Sequence, residues 1–469
     1  MGQRLRDVVI VIPGITGSVL ARHSRPVWAP TFAAATGAMT RRFAAALTAD
    51  DVVAQRLLPD VVVVPGLVKV DGYTRLTDAI AARFDVRRVV AVRPADVTPA
   101  NLVEFPYDWR QDNRRSARTL AAVAERALAA WRDFAAVPDA RLIVIAHSMG
   151  GLVARYFLEV LDGWRETRAL ITLGTPFRGS LDSLGYLANG YRKLGVDLSG
   201  PMRAFPSVYQ LLPTYPVIDV DGRVHRAAEL PGLPNMDAAL VEDGLRFHRE
   251  IESAVLANDR TDPARYALLP IVGTHQPTMQ SANWNGEKLT LAPEPPAGVD
   301  VFLADGRTDG DGTVGVWSAS PPDQSSSFTD VFLAEKHVGL QRNPRVLETV
   351  LGRLAKTQAT GLSTLRNESD VPESTHVSGI SLYLDDLYLP DEPIIIRART
   401  TEAATVSRVV AETEHVGTAK TRTVELANKA GTWQATVPRH AIGPYRVTVS
   451  ARGEGAMPTP VHDLFEVAG

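Results

Sequence analysis

Three residues of this chain, Ser148, Asp311 and His337, have the types and the order needed for nucleophilic catalysis. A serine hydroxyl attacks well only when a histidine takes its proton, and an acidic residue must hold that histidine in the correct orientation. Where the serine sits on a sharp strand-to-helix turn, the chain order is serine, then Asp or Glu, then histidine. We therefore predict that Ser148 is the nucleophile, Asp311 the orienting acid and His337 the base.

The sequence around the serine is typical of such a turn. An apolar run of strand length, Leu142 to Ala146, ends at Ala146-His-Ser-Met-Gly-Gly151, and a helical pattern follows at once. Small residues flank the serine because larger side chains would clash there. Ala146 takes the place of the usual glycine. We expect His147 to be a packing residue or one that supports the site without touching substrate, since adjacent side chains on a sharp turn diverge.

The predicted acid lies in a loop with interspersed glycines, 304–316, in which Asp309 and Asp305 remain alternatives to Asp311. Calcium binding is the competing interpretation of these three carboxylates, but the twelve-residue calcium pattern with its final Glu is absent. His337 is the only histidine between this loop and the polar segment that begins at 357. Its position fits the required order.

Two backbone N–H groups must stabilise the oxyanion that forms when the serine attacks. We expect one from Met149, the residue after the nucleophile, and one from Ile15 in the loop Pro13–Ser18, which follows the first predicted strand. A Gly-rich turn at this place can also bind phosphate. Gly14-Ile-Thr-Gly17, however, lacks both the Gly-x-Gly-x-x-Gly spacing and the Walker lysine.

Alternating strand and helix patterns would position these residues. Apolar runs predict buried strands at Val8–Ile12, Val61–Val64, Arg88–Val92, Leu142–Ala146, Ala169–Leu173 and Ala267–Val272. Helices are predicted over Ser116–Phe134 and Pro344–Leu354. This pattern favours an α/β domain over residues 1–356, with a mostly parallel sheet and helices on both faces. Cap or lid candidates lie at about 22–60 and 181–265.

The last part of the chain has a different character. Residues 357–377 are polar and predict a linker. Short alternating runs follow at Ile380–Leu384, Pro393–Arg399, Ser407–Glu412, Thr421–Leu426, Thr432–Val437 and Tyr445–Arg452. Their number and spacing predict a small all-β, immunoglobulin-like sandwich over 378–469. Its histidines have no ligand spacing, so we expect packing or surface roles for them.

Composition limits the class of function. The chain has 469 residues, a net charge of −3 and no cysteine, which predicts neither a nucleic-acid surface nor thiol chemistry. The apolar run at Val8–Ile12 is too short for a signal peptide, and no run reaches the length of a membrane span. We therefore expect a cytoplasmic protein.

Six blocks of sequence together resemble the lecithin:cholesterol acyltransferase family, which includes lysosomal phospholipase A2 and phospholipid:diacylglycerol acyltransferases. The blocks occur in the family's order over about residues 8–354, and are Pro13-Gly-Ile-Thr-Gly-Ser-Val-Leu20, Phe105-Pro-Tyr-Asp-Trp-Arg110, Ala146-His-Ser-Met-Gly-Gly151, Leu173-Gly-Thr-Pro-Phe-Arg-Gly-Ser180, Asp309-Gly-Asp-Gly-Thr-Val314 and His337. The C-terminal sandwich is not part of the resemblance.

The resemblance implies an α/β-hydrolase that cleaves an acyl ester of a lipid and passes the acyl group to water or to an alcohol. It implies the same roles for Ser148, Asp311 and His337, and no metal or organic cofactor. Trp28 lies where the family has a lid tryptophan, and Trp28 and Thr16 are candidates for lid or substrate contacts. The expected partners are a lipid or other acyl ester and, transiently, a membrane surface. The sandwich is a candidate for binding a protein partner.

Two other functions stay open at this point. One is a carboxylesterase that acts on small soluble esters. The other is a non-catalytic binding or scaffold protein on a hydrolase fold, since folds are reused for unrelated functions. The intact set of serine, acid and histidine favours an enzyme.

Overall fold

The structure of the protein, a computed structural model, describes residues 2–28, 46–59, 61–64, 68–190, 192–193, 196–263, 265–296, 309–322, 331–359, 378–401, 406–437, 440–455 and 457–468. Asp305, most of the polar segment 357–377 and part of the first cap candidate lie outside these residues.

A seven-stranded, fully parallel sheet forms the centre of the first domain. Its strands in chain order are β1 (Val8–Ile12), β2 (Arg88–Val90), β3 (Leu102–Glu104), β4 (Leu142–His147), β5 (Thr167–Leu173), β6 (Ala267–Gly273) and β7 (Val331–Leu333). In space the order is β7-β6-β5-β4-β1-β3-β2. Strands β1, β4 and β6 are buried at every residue, as expected for a parallel sheet that is covered on both faces.

Helices alternate with these strands because parallel neighbours need a crossover connection. They are α1 (Thr74–Arg83), α2 (Asn113–Ala135), α3 (Met149–Glu159), α4 (Leu181–Asn189), α5 (Ser199–Ala204), α6 (Pro206–Tyr209), α7 (Ala238–Thr261), α8 (Val316–Ala319) and α9 (Pro344–Ala359). Short 3₁₀ helices lie at Pro94–Asp96, Gly163–Glu166, Ala227–Glu229 and His337–Gly339. The mostly parallel sheet with alternating helices that the sequence predicts is present.

Thirteen short strands among the described residues lie in small sheets outside the centre. They are Gln3–Arg4 with Phe84–Asp85; Ser18–Arg22 with Arg25–Trp28 and Val52–Leu57; Val61–Val64 with Val68–Asp71; Arg192–Lys193 with Val196–Asp197; and Ile218–Val220 with Arg223–His225, Ser281–Trp284 and Leu289–Ala292. The predicted strand Val61–Val64 therefore exists, but it pairs in an antiparallel hairpin and not in the central sheet.

The chain changes direction across the sheet at β1. From this strand it first builds β2 and β3 on one side, and then returns to place β4 directly against β1 on the other. In open α/β sheets, ligands bind beyond the carboxyl ends of strands at such a switch point. The loop Pro13–Ser18 follows β1 and Ser148 follows β4, so both lie at this point.

The C-terminal domain is a curled, mostly antiparallel sheet around its own apolar core. Its strands are β8 (Ile380–Tyr383), β9 (Leu387–Tyr388), β10 (Ile394–Thr400), β11 (Val406–His415), β12 (Thr421–Lys429), β13 (Thr432–Val437), β14 (Gly443–Gly453) and β15 (Val461–Val467). All six predicted strands occur. β9 and β15 were not predicted, and β12 joins the two halves by pairing with both β11 and β13.

One predicted boundary needs correction. Helix α9 continues to Ala359, so residues 357–359 are helical and do not belong to the linker that the sequence predicts from 357. The side chain of Thr357 is buried and donates to the carbonyl of Leu354, 2.7 Å away, which is a packed helical contact. Polar composition alone did not distinguish the last helical turn from the linker.

Candidate active site

Ser148 occupies the turn between β4 and α3 in a backbone conformation that non-glycine residues rarely adopt, with φ 52° and ψ −128°. Such a conformation costs about 1–3 kcal/mol and persists only where the surroundings impose it. Here the Ser148 N–H donates to the carbonyl of Leu173, 2.9 Å away, and its own carbonyl accepts from the Gly151 N–H and the Thr175 hydroxyl. These contacts to β5 and α3 hold the turn in place.

The small residues around the turn have steric reasons. A Cβ on Gly14 would lie 2.8 Å from the Cβ of Ser148, and a Cβ on Gly150 would overlap the carbonyl oxygen of Pro13. The loop after β1 therefore packs directly on the nucleophile turn. Ala146 lies within regular β4 and pairs with strands on both sides, so its Cβ is accommodated without strain.

The structure brings Ser148, His337 and Asp311 into one hydrogen-bonded chain. The His337 Nε2 atom lies 2.9 Å from Ser148 Oγ, and its Nδ1 atom lies 2.7 Å from Asp311 Oδ2. All three residues are buried, with exposed fractions of 6%, 8% and 1% for Ser148, His337 and Asp311. A carboxylate can only accept, so Nδ1 carries the proton and Nε2 is free to accept the serine hydroxyl proton.

Backbone donors fix the orientation of the acid. Asp311 Oδ1 accepts from the N–H groups of Thr313 and Val314, which leaves Oδ2 for the histidine. Asp309, the alternative acid, accepts from the N–H of His275. Of the two candidates that the structure describes, Asp311 bonds to His337 and Asp309 to the backbone of His275.

The predicted oxyanion donors lie beside Ser148. Met149 is the first residue of α3, and the first N–H groups of a helix have no partner within that helix. Ile15 lines the same cavity as Ser148. The N–H of Gly14, by contrast, is already bonded to the Tyr73 hydroxyl. The positions of Ile15 and Met149 are compatible with the role that the sequence predicts for them.

A second hydrogen-bonded chain connects this loop to the histidine. The Gly14 N–H donates to Tyr73 Oη, 2.9 Å away, and Tyr73 Oη lies 2.8 Å from His147 Nδ1. His147 Nε2 lies 3.2 Å from the carbonyl oxygen of His337 and must therefore donate to it. Nδ1 then accepts the Tyr73 proton. Burial, together with the nearby His337 ring, lowers the pKa of His147 to about 3, so this imidazole stays neutral.

The cavity above Ser148 has a volume of about 240 Å³. Part of its wall is apolar and comes from the segment between β5 and β6, in which Tyr186, Met202, Val208 and Leu211 line it. This segment falls within the second predicted cap region. Charged groups line another part, namely Asp182, Lys336, Asp386 and Asp463.

Asp182 is a titratable group of this cavity that sequence reasoning missed. It lies in the first turn of α4, where its N–H donates to Ser180 Oγ. Burial and the neighbouring Asp311 carboxylate raise the pKa of Asp182 to about 7. Its carboxyl group is therefore partly protonated at neutral pH. No local motif distinguishes it from an ordinary acidic residue at a helix start.

Trp28 and Thr16 lie outside the residues that line this cavity. The Trp28 indole N–H donates to the Thr16 carbonyl, 2.8 Å away, and the ring packs edge-on against Trp109 with centroids 5.2 Å apart. Trp28 is 2% exposed. In this structure Trp28 packs behind the loop Pro13–Ser18 and supports it. A lid or substrate contact for Trp28 and Thr16 stays a prediction.

The Phe105–Arg110 block packs against the end of the loop that follows β1. The Arg110 guanidinium pairs with Asp108 at 2.7 Å. The Tyr107 N–H donates to Ser18 Oγ and the Trp109 indole N–H to the Ser18 carbonyl. The block therefore holds the end of the loop that follows β1.

The described part of the chain contains neither a metal site nor a membrane-spanning helix. No group of three or more His, Cys, Asp or Glu side chains there could hold a metal ion. No helix among the described residues is long and apolar enough to cross a membrane.

Residues 97–230 match the family model of lecithin:cholesterol acyltransferase, which confirms the resemblance over this stretch. The match includes the nucleophile turn but neither Asp311 nor His337. None of the curated proteins matches the chain at a significant level.

Two solved structures of the lipase BlEst2 from Bacillus licheniformis are similar to this chain. The mature form has 11% sequence identity, covers 76% of this chain and 94% of its own, and has a TM-score of 0.36. The propeptide form has 11% identity, covers 99% of this chain and 94% of its own, and has a TM-score of 0.34.

Proposed function

We propose that this protein is a serine-dependent acyl-ester hydrolase or O-acyltransferase that acts on lipids. The observation that carries the proposal is the hydrogen-bonded chain from Ser148 Oγ through His337 to Asp311. The family match around the nucleophile supports a lipid acyl ester as the substrate, as does the apolar part of the cavity wall.

The geometry suits a two-step reaction. His337 Nε2 takes the hydroxyl proton as Ser148 Oγ attacks the ester carbonyl, and Asp311 stabilises the imidazolium that forms. The carbonyl oxygen becomes an oxyanion, for which the N–H groups of Ile15 and Met149 are the candidate donors. The imidazolium then protonates the leaving alkoxide, and an acyl-enzyme remains on Ser148.

The second step reverses these roles. Water or an alcohol gives its proton to His337 Nε2 and attacks the acyl carbonyl, which returns the free serine and releases an acid or a new ester. Hydrolysis and transfer share the same acyl-enzyme and differ only in the acceptor. The ratio of hydrolysis to transfer therefore depends on how the cavity contacts water or the alcohol acceptor.

The central test compares the wild-type protein with Ser148→Ala on 4-nitrophenyl butyrate. We expect Ser148→Ala to lower kcat at least about 10³-fold, because the attacking atom is gone. Ser207→Ala is the matched control, since its hydroxyl is buried without a hydrogen-bond partner among the described residues. Equal rates for the wild type and Ser148→Ala would refute the proposal.

A second experiment identifies the acyl donor and acceptor. A phospholipid mixture is incubated with the protein, with and without a long-chain alcohol, and the products are analysed by mass spectrometry. Free fatty acid indicates hydrolysis, and a new ester indicates transfer. A protein that hydrolyses only dispersed short-chain esters, with no preference for micellar substrate, would instead be a small-ester carboxylesterase.

A further inference from the structure

The loop that carries the proposed base is bonded to the C-terminal domain. Glu335, two residues before His337, is fully buried. Its carboxylate accepts from the backbone N–H of His462, 2.9 Å away, and from the His462 ring at 2.6 Å, and both groups belong to β15. The Asn343 amide is a third donor to the same carboxylate. A buried carboxylate needs such donors, so β15 is part of what keeps this loop in place.

Two more contacts join the same loop to β15. Lys336 Nζ lies 2.6 Å from Asp463 Oδ2, and Asp463 is 2% exposed. Val338, on the other side of His337, packs against the buried Leu464. Residues on both sides of His337 therefore contact three consecutive residues of one C-terminal strand.

The loop that carries the proposed acid is held by the same domain. Gln276 is fully buried, and its backbone forms bridges with Gly310 and Asp311. Its side-chain amide donates to the Ile380 carbonyl at 2.8 Å and accepts from the Leu382 N–H at 3.1 Å, which are backbone groups of β8. The amide therefore connects the acid loop to a strand of the second domain.

The C-terminal domain also reaches the cavity itself. Asp386, in the turn between β8 and β9, and Asp463 of β15 both line the space above Ser148. Substrate in this cavity would therefore lie against side chains from both domains.

From these contacts we infer that the C-terminal domain is an integral part of the active site, with His462 and Gln276 as positioning residues for the base and the acid. The inference rests on the proposed function. The base works only within hydrogen-bond reach of the serine, and a misplacement of about 1 Å can lower a rate about 10²-fold. Its loop contains only a three-residue 3₁₀ helix, so contacts from outside must fix its position.

The test uses the full chain and three variants of C-terminal histidines. His462→Leu removes the ring donor to Glu335. His462→Asn places an amide N–H where the ring Nδ1 was. His415→Leu is the matched control, because the His415 ring bonds to groups within its own domain. Four quantities are measured for the wild type and each variant. They are kcat and KM on 4-nitrophenyl butyrate, the rate at which a fluorophosphonate labels Ser148, and the midpoint of thermal unfolding.

We expect His462→Leu to lower kcat and the labelling rate about 10- to 100-fold, with KM changed far less, because the base moves and the cavity remains. His462→Asn should recover most of both rates, and His415→Leu should match the wild type. A purely structural role would lower the unfolding midpoint and leave kcat of the folded fraction unchanged, which would overturn the inference. A rise in kcat for His462→Leu would overturn it too, since the domain would then restrain the site.

Gln276→Leu tests the acid side independently and decides the matter if His462→Leu does not fold. It should lower kcat in the same way, since Asp311 loses the contact that connects its loop to β8. An unchanged kcat would refute the inference for this loop. If the wild type neither hydrolyses the ester nor becomes labelled at Ser148, the proposed function itself fails. If the wild type is active and the variants are equally active, only the inference about the C-terminal domain fails.

Discussion

Substitution of Tyr73 by Phe tests whether the hydrogen-bonded chain behind the nucleophile matters. The Tyr73 hydroxyl accepts from the Gly14 N–H and donates to His147 Nδ1, and the residue is 1% exposed, so bulk water cannot replace it. Each buried group left without a partner costs about 1–3 kcal/mol. Two such groups predict a loss of about 2–6 kcal/mol in the free energy of unfolding.

Activity should fall as well. Gly14 immediately precedes Ile15, and a Gly14 N–H without its partner lets this loop shift relative to Ser148. Loss of one oxyanion donor lowers kcat about 10²- to 10³-fold in a serine protease, so we expect a decrease of about 10²-fold here. The assays are urea unfolding and the rate of hydrolysis of 4-nitrophenyl butyrate.

Tyr107→Phe is the matched control. The Tyr107 hydroxyl is also buried, but it has no hydrogen-bond partner among the described residues. Its removal should leave the free energy of unfolding unchanged or raise it slightly, with no change in kcat. Equal losses of stability in Tyr73→Phe and Tyr107→Phe, or full activity in Tyr73→Phe, would refute the reasoning.

Three further predictions concern the site. Gly150→Ala should abolish activity because the added Cβ would overlap a backbone carbonyl oxygen. Gly352→Ala lies in open space on α9 and should raise the free energy of unfolding by about 1 kcal/mol. Ester hydrolysis and urea unfolding of the two variants measure these effects. Asp311→Asn should lower kcat about 10³- to 10⁴-fold, and Asp309→Asn less than tenfold; similar losses would show that the acid is assigned wrongly. Asp182→Asn should have a higher unfolding midpoint than the wild type by an amount that grows from about pH 4 to about pH 7 and then stays constant. The reason is that the raised pKa keeps the folded carboxyl protonated where the unfolded one ionises, so the wild type loses stability over this range; a difference independent of pH would contradict it.

Local sequence was enough to predict where the candidate residues that directly follow strands lie. Ser148 and the loop Pro13–Ser18 follow apolar runs whose ends are visible in the sequence, and parallel strands bring such ends to one edge. His337 was predicted from chain order alone. These inferences need only strand positions and the direction of the sheet.

Contacts between distant segments could not be predicted in this way. Tyr73 is 59 residues from Gly14, and nothing in its neighbourhood in the sequence marks it as a partner of the loop. Asp309 and Asp311 lie two residues apart in one loop, and only the folded backbone shows that the N–H groups at 313 and 314 orient the Asp311 carboxylate. The strand β15 was missed because His462 and Asp463 interrupt its apolar pattern, and both of these side chains contact the first domain.

The contacts of β15 also bear on when a newly made chain becomes active. His462 is 127 residues beyond Glu335, so the ribosome finishes the nucleophile turn and both loops long before the strand that holds them. During this interval a nascent chain contains Ser148, Asp311 and His337 but lacks the strand that contacts their loops. If the second domain completes the site, hydrolytic activity arises only when synthesis has passed β15, and unfinished chains leave cellular esters intact.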